Sequence, residues 1–413
     1  MKLSFKYSTK LNEKQIDIIE ELSYHTTKLY NIVNYNLKEK EYKSYYDNNK
    51  LYSDNYHKQF LHSHNYQQCL KLLEKNWKSY FASIKDYNKN PNKYLGIPKP
   101  PKFKNNKDKK NEIIFTKASI RYKNNMLMLS VAKSIKEKFG VQSLNFRIDD
   151  SKIPVDFSTI QQIKIQWNNS NKKWILNIIY ERKEVNITKD YDDIMAIDLG
   201  MNNLATIIFQ NNKNSYIVDG KYIKSKNSYY NKRIASLTSI SMKQNKNSKY
   251  FKRTKKLIEL QNKRNNFVKD YIHKASKKII DLAIINKCHT IVIGDFKGVK
   301  QNNKAKSFVQ TPQMELVNKL KYKAELLGIK VVMQDESYTS GCSALDLEEI
   351  GSTTYNKSRR IFRGLFVSNK GIKINADING AINILRKYNK CIPRLIAMDN
   401  GFLDNPIRLR VSY

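Results

Sequence analysis

The sequence predicts a multidomain α/β protein: an N-terminal β-domain interrupted by a helical insert, then a domain of alternating strands and helices. Three observations lead there. The chain has 413 residues, more than one small core organises, so two or three domains are expected. Its apolar period changes twice, from helical spacing over 11–85 to strand-like runs over 102–190, then to a mixture of both from Ile194 onward. Pro91, Gly96, Pro98, Pro100 and Pro101 separate the first two regimes. The expected bounds are 1–10 and 86–190 for the β-domain, 11–85 for the insert and 191–413 for the α/β domain.

The elements follow in order. KLSFKYS (2–8) alternates as a strand, free to join the β-domain. Asn12 opens a helix carrying Ile16, Ile19, Leu22, Leu29, Ile32 and Val33, and a second helical block carries Tyr66, Cys69, Leu70, Leu73, Trp77 and Tyr80. IIFTKASIRY, MLMLSVAK, IQQIKIQW and KWILNIIYERK then read as strands between Lys/Asn turns. Ile194 to Leu199 is apolar on both faces, as a central strand should be. Leu204–Phe209 and Ser215–Val218 follow, then a long basic helical region from about Asn227 to Asn286. A strand at Thr290–Ile293, a helix started by Thr311 and Pro312 and ended by Gly328, and a strand at Lys330–Gln334 complete the run. Strand-strand-strand-helix-strand-helix-strand-helix is the order of a ribonuclease H-like domain.

Lys and Arg number 76 against 37 Asp and Glu, a formal net charge of +39. The excess runs the length of the chain and predicts a polyanionic partner, because basic surface releases counterions when it meets phosphates. The 27 tyrosines could stack on unpaired bases; an AT-rich genome explains the Asn, Lys, Ile and Tyr bias equally well. Cys69, Cys288, Cys342 and Cys391 form no CxxC pair, which argues against a zinc ribbon or a disulfide framework. MKLSFKYSTKLNEKQ lacks an apolar leader core, and no apolar run approaches the ~20 residues of a membrane span. A soluble, non-secreted protein is the expectation.

Three acids stand at element ends: Asp198 in IMAIDLGMNNLAT, Glu336 in VVMQDESYTSG and Asp377 in INADINGAINILRK. A carboxylate ending a central strand is costly unless it is paired or binds metal. Asp377 opens a helix whose buried face is Ile378, Ala381, Ile382 and Leu385. Strand alternation points Asp335 and Glu336 to opposite faces, so only one can join the others. Each acid alone has an ordinary explanation as a turn, a helix-start charge or a solvated strand end. Together, three carboxylates at one sheet edge can hold two Mg²⁺ for phosphodiester hydrolysis.

These motifs resemble those of the TnpB proteins of insertion sequences, relatives of type V CRISPR effectors and of Fanzor proteins. AIDLGMNNLAT is similar to their first RuvC motif and NADINGAINILRK to their third; TIVIGDFKGVKQ and ESYTS add to the match. The resemblance implies a RuvC nuclease domain behind a barrel-like wedge with a helical recognition insert. It implies an RNA-guided, Mg²⁺-dependent DNA endonuclease encoded by a transposable element. Its partners would be a guide RNA from the element's own transcript and duplex DNA bearing an adjacent motif, with room for a separately encoded transposase. Asp198 and Asp377 take the metal-ligand positions. The second motif departs from the pattern, because Gly294 stands where the relatives' glutamate follows the fourth strand. A branch of the family carries that glutamate after the next strand, which favours Glu336 over Asp295, with Asp335 third. The relatives' paired CxxC insert corresponds to 341–373, where Cys342 is the single cysteine, so no structural zinc is expected.

Nucleic-acid contacts are expected from the basic helical region (Lys249, Lys252, Arg253, Lys256, Arg264) and from the RRIFRG run (Arg359, Arg360, Arg363), a solvated turn being the plain alternative for the latter. His62-Ser63-His64 superficially matches a single-strand transposase motif, but its middle residue is polar and its context helical. A nuclease-inactive, RNA-guided DNA-binding repressor is the rival function, favoured by Gly294 and opposed by Glu336; a general RNA-binding protein is the third. The expected location is the cytoplasm and nucleoid of a bacterium, or the nucleus of a eukaryotic host.

Overall fold

The computed structural model describes residues 1–39, 41–105, 107, 109–149, 156–182, 185, 191–244, 253–295, 312–362, 364–397, 403 and 405–411. The fold is mixed α/β and divides into two compact units, Met1–Lys183 and Glu184–Tyr413.

The first unit opens with β1 (Lys2–Tyr7), followed by α1 (Glu13–Glu39), α2 (Tyr45–Leu51) and α3 (Ser63–Lys89). Next come β2 (Ile113–Thr116), β3 (Ile120–Lys123), β4 (Met126–Ser130), α4 (Lys133–Phe139), β5 (Ser143–Arg147), β6 (Ile160–Asn168) and β7 (Lys173–Glu181). The first strand does join the later ones: one sheet has the order β1-β7-β6-β2, and a second has the order β3-β4-β5. IIFTKASIRY is therefore two strands in different sheets, parted by a short turn at Lys117–Ser119. α1 and α3 bury Ile19, Leu22, Leu29, Leu70 and Leu73 in the same core as Phe115, Ile163 and Ile178 of the first sheet. His62 caps α3 by accepting from the His64 N–H, so this pair marks a helix start.

The second unit contains β8 (Asp193–Asp198), β9 (Asn203–Phe209), β10 (Tyr216–Asp219), α5 (Lys221–Gln244), α6 (Lys255–Ile285), β11 (Cys288–Asp295), α7 (Gln313–Glu325), β12 (Lys330–Asp335), β13 (Leu365–Val367), β14 (Lys373–Asn375), α8 (Ala376–Asn389), α9 (Arg394–Ala397) and β15 (Ile407–Leu409). The basic helical region is two helices, α5 and α6. Thr311, expected to cap α7, lies outside the described residues, and Pro312 precedes the helix. Gly328 ends that stretch with φ of 77°.

Six strands form one sheet in the order β12-β11-β8-β9-β10-β15. β12, β11 and β8 are parallel, β9 runs antiparallel to β8, and the C-terminal β15 adds a parallel edge beside β10. Strand alternation splits the core in two. Met195, Ile197, Ile291 and Ile293 pack with residues of α6 and α7. Ile194, Ala196 and Val292 pack with Ile378, Ala381, Ile382 and Leu385 of α8. Side chains two residues apart on a strand share a face, so Asp198 and residue 294 face α8. Among the described residues, no helix is long and apolar enough to cross a membrane.

Candidate active site

The parallel strands end together, and their carboxyl ends carry the acids. Asp198 closes β8, Gly294 and Asp295 close β11, and Glu336 follows β12 directly. In β11 and β12, Gly294 pairs with Gln334 and Asp295 with Asp335. Asp377 enters from the first turn of α8, whose start is fixed by Asn375: its Oδ1 accepts from the N–H groups of Asp377 and Ile378. Such a cap stabilises a helix start by ~1 kcal/mol.

Two glycines shape the site. A Cβ on Gly380, one turn along α8 from Asp377, would lie 2.7 Å from Asp198 Oδ2. A Cβ on Gly294 would lie 2.9 Å from Glu336 Oε2 and 2.8 Å from Ile384 Cδ1. The Glu336 carboxylate thus occupies the space that any side chain on Gly294 would claim. Glu336 and the bare position at 294 are geometrically one feature.

Electrostatics ties the acids together. Burial, then the charges of Asp377 and Glu336, push the Asp198 carboxyl up to about 8, with Arg360 opposing. Burial, then the charges of Asp295 and Asp335, raise the Glu336 carboxyl. Asp377 is held at both oxygens: Asn203 Nδ2 donates to Oδ2 at 2.7 Å and Arg360 Nη2 to Oδ1 at 3.1 Å. Asp335 is engaged elsewhere, accepting from Lys387 Nζ at 2.7 Å and from Ser337, which lowers its carboxyl. A cleft of about 380 Å³ opens over Glu336 and Asp377, lined also by Leu199, Gly200, Asn203, Lys221, Gln313, Arg360 and Arg408.

As they stand, no three His, Cys, Asp or Glu groups among the described residues are closed into a metal-holding cluster. Uncompensated carboxylates repel one another, and the Arg360 guanidinium already neutralises Asp377. The donor set nevertheless suits a hard cation, since carboxylate oxygens are the ligands Mg²⁺ selects. The Gly294 and Gly380 cradles keep Glu336 and Asp198 clear of side-chain bulk.

The basic residues separate by what they touch. Arg253 and Lys256 are exposed at the start of α6, where like-signed helix-dipole charge makes cations unfavourable by ~0.3–1 kcal/mol. Arg264 is half-buried and donates from Nε to Asn227 Oδ1 at 3.0 Å, tying α6 to α5. Arg359, expected to contact phosphates, is engaged within the fold. Its Nη1 is 2.7 Å from Glu348 Oε1, with side-chain exposures of 17% and 12%, so it is a partly buried structural pair. Arg360 faces the cleft. Lys249, Lys252 and Arg363 lie outside the described residues. Cys342 is buried, with Sγ 3.3 Å from Thr354 Oγ1.

Sequence reasoning missed Gly380, Asn203, Gln313, Lys221 and Arg408. Gly380 had a signal: glycine inside an otherwise strong helix costs ~1 kcal/mol against alanine and calls for a packing reason. The others had none, since polar residues at helix starts and in short or edge positions of strands are ordinary.

Comparison with known proteins follows the same lines. Residues 177–300 match the OrfB_IS605 family, described as probable transposase, and residues 314–384 match the Cas12f1-like TNB domain. The chain is 25% identical over 407 residues to the TnpB-like protein ORF457 of Acidianus two-tailed virus, covering 91% of this chain and 83% of that protein. Together these matches support a TnpB-like family. This TnpB-like chain is also 29% identical over 223 residues to the CRISPR-associated endodeoxyribonuclease Cas12f1 of Sulfoacidibacillus thermotolerans, 52% of this chain and 51% of that one. A Cas12f2 from a Micrarchaeota archaeon matches over 41% of its length, so the chain spans about half, or less, of these Cas12f relatives. Its fold is similar to Cas12f1 solved in complex with sgRNA and target DNA, at a TM-score of 0.56 and 17% identity, covering 90% of this chain and 82% of that one. It is also similar to the mini-RNA-guided endonuclease CRISPR-Cas_phi3, at 0.54 and 9%, covering 94% and 92%.

Proposed function

We propose that this TnpB-like chain is an RNA-guided DNA endonuclease, with a RuvC-type, ribonuclease H-like catalytic domain over 191–413. The convergence of Asp198, Glu336 and Asp377 at one edge of a parallel sheet carries this reading. The strand order, with β8 central between parallel β11 and antiparallel β9, supports the ribonuclease H-like description. The β-rich first unit, with its helical insert, would act as wedge and recognition parts, binding guide RNA and a short DNA motif. Guide–target pairing would supply most of the sequence specificity.

When bound, a pair of Mg²⁺ ions supplies hydroxide from water and stabilises the leaving 3′ oxygen. Asp198, Glu336 and Asp377 would hold that pair. Asn203 orients Asp377 from the start of β9, and the two glycines set how deeply Asp198 and Glu336 sit. Lys221, Arg360 and Arg408 give the cleft wall the charge to bind the DNA backbone beside the acids. No covalent protein–DNA intermediate is needed.

RNA-guided binding without cutting is the second reading, and Gly294 is its argument. The Gly294 cradle weakens it, because a glutamate placed there would collide with the carboxylate of Glu336. The test is to co-purify the protein with transcripts of its own locus and assay Mg²⁺-dependent cleavage of a DNA library with randomised flanks. Wild type should cut, while Asp198→Ala and Glu336→Ala should bind guide RNA and not cut. Guide-dependent binding by wild type without cutting would overturn the nuclease reading in favour of the repressor.

A further inference from the structure

The first unit carries a cavity of about 520 Å³ that plays no part in the acidic site. That volume lies within the ~300–1,000 Å³ range of small-ligand pockets. Its walls are the segment after β1, the start of α1 and the turn end of the β6–β7 hairpin. Trp167 and Trp174 are direct cross-strand partners there, edge to face with ring centroids 5.5 Å apart. Lys110 Nζ stands 4.3 Å from the centroid of the Trp167 ring. Lys10, Lys172 and Lys173 also line the cavity, against the single acid Glu20. Trp174 is 5% exposed, and its indole N–H has no acceptor among the described residues.

The aromatic wall selects a flat ring. Four lysines around it select an anion. A base provides the ring, and its phosphates provide the charge. A paired base would have its edges occupied and its faces stacked, out of reach of so small a cavity.

We propose that this cavity takes one unpaired nucleotide, its base against Trp167 and its phosphates among Lys10, Lys110, Lys172 and Lys173. The proposal rests on the nucleic-acid-binding part of the function above and not on cleavage. The strand that supplies the nucleotide is RNA or displaced DNA, and the chemistry is common to both.

The test uses the full chain, without divalent metal, and single-stranded RNA or DNA oligonucleotides carrying one 5-iodopyrimidine. After ultraviolet irradiation, adducts are mapped by mass spectrometry. Adducts on Trp167 or Trp174 are expected; their appearance with RNA alone, DNA alone or both names the source. Adducts confined to peptides outside the cavity would overturn the proposal while leaving nucleic-acid binding in place. Absence of adducts and of binding anywhere would remove that part of the function too. Trp167→Ala should weaken single-strand binding ~5–150-fold, the worth of one stacked base, and Trp167→Phe should recover most of it. Equal affinity of Trp167→Ala and wild type would also overturn the proposal, and the mapping on wild type decides if the alanine variant does not fold.

Discussion

Gly380→Ala separates stability from catalysis in a single methyl group. A Cβ at this position would sit 2.7 Å from Asp198 Oδ2 and 3.5 Å from its Cγ, whereas ordinary contact begins at 3.4 Å. The carboxylate oxygen must therefore retreat by about 0.7 Å. Metal–oxygen distances tolerate ~0.2 Å, and misplacement of a reacting group by ~1 Å costs ~100-fold in rate. We expect single-turnover cleavage of guide-matched DNA in Mg²⁺ to fall about 100-fold. Helix propensity works the other way, because alanine in a helix interior is favoured over glycine by ~1 kcal/mol. The atom displaced is the far end of a side chain, so the fold should absorb it. The melting temperature should hold or rise by ~2–4 °C, while Mg²⁺ should raise it less than it raises that of wild type. Gly351→Ala, whose nearest neighbour would be 3.9 Å away, is the control and should cut normally. Cleavage by Gly380→Ala within threefold of wild type, with its Mg²⁺ shift intact, would show that Asp198 does not need this cradle.

Gly294→Ala should likewise fold and lose cutting, because its Cβ would displace Glu336 Oε2; unimpaired cleavage would show that Glu336 is not a ligand. Asp198 is raised from 3.8 to about 8, so in chelator its protonated form favours the fold below pH ~4, and that stability is lost as pH rises through about 8. Thermal unfolding across that window should slope downward for wild type and less for Asp198→Asn; identical slopes would refute the shift. Arg360→Ala removes the cation beside Asp377 and should tighten Mg²⁺ binding several-fold in a thermal-shift titration while slowing cleavage, at under ~1 kcal/mol in stability for so exposed a pair. Lys256→Glu, an acid placed at the start of α6, should gain ~0.3–1 kcal/mol in stability. The same change should lower the salt slope of nucleic-acid binding by about one or more; an unchanged slope removes Lys256 from the interface.

Local physics made much of the chain legible. A short apolar run bounded by polar residues reads as a buried strand, so β8 was readable from Ile194 to Asp198, and alternation alone separated Glu336 from Asp335. Helical spacing located α1, α3 and α8 because their buried faces repeat along the sequence. Short pieces escaped: β5, β13, β14 and β15 span five residues or fewer and carry too little pattern to read. Three acids 138 and 41 residues apart along the chain (198 to 336, 336 to 377) carry no local sign of proximity. Their meeting depends on which strands become neighbours, and that is fixed by helices packing on both sheet faces. The same holds for Arg359 and Arg360, adjacent in sequence and chemically alike. One turns inward to Glu348 and the other outward to Asp377, a choice made by the path of the backbone. Gly294 shows the division most plainly. In sequence it is a missing glutamate, and in the fold it is the space that the glutamate of the next strand fills, because a carboxylate and a Cβ cannot occupy the same volume.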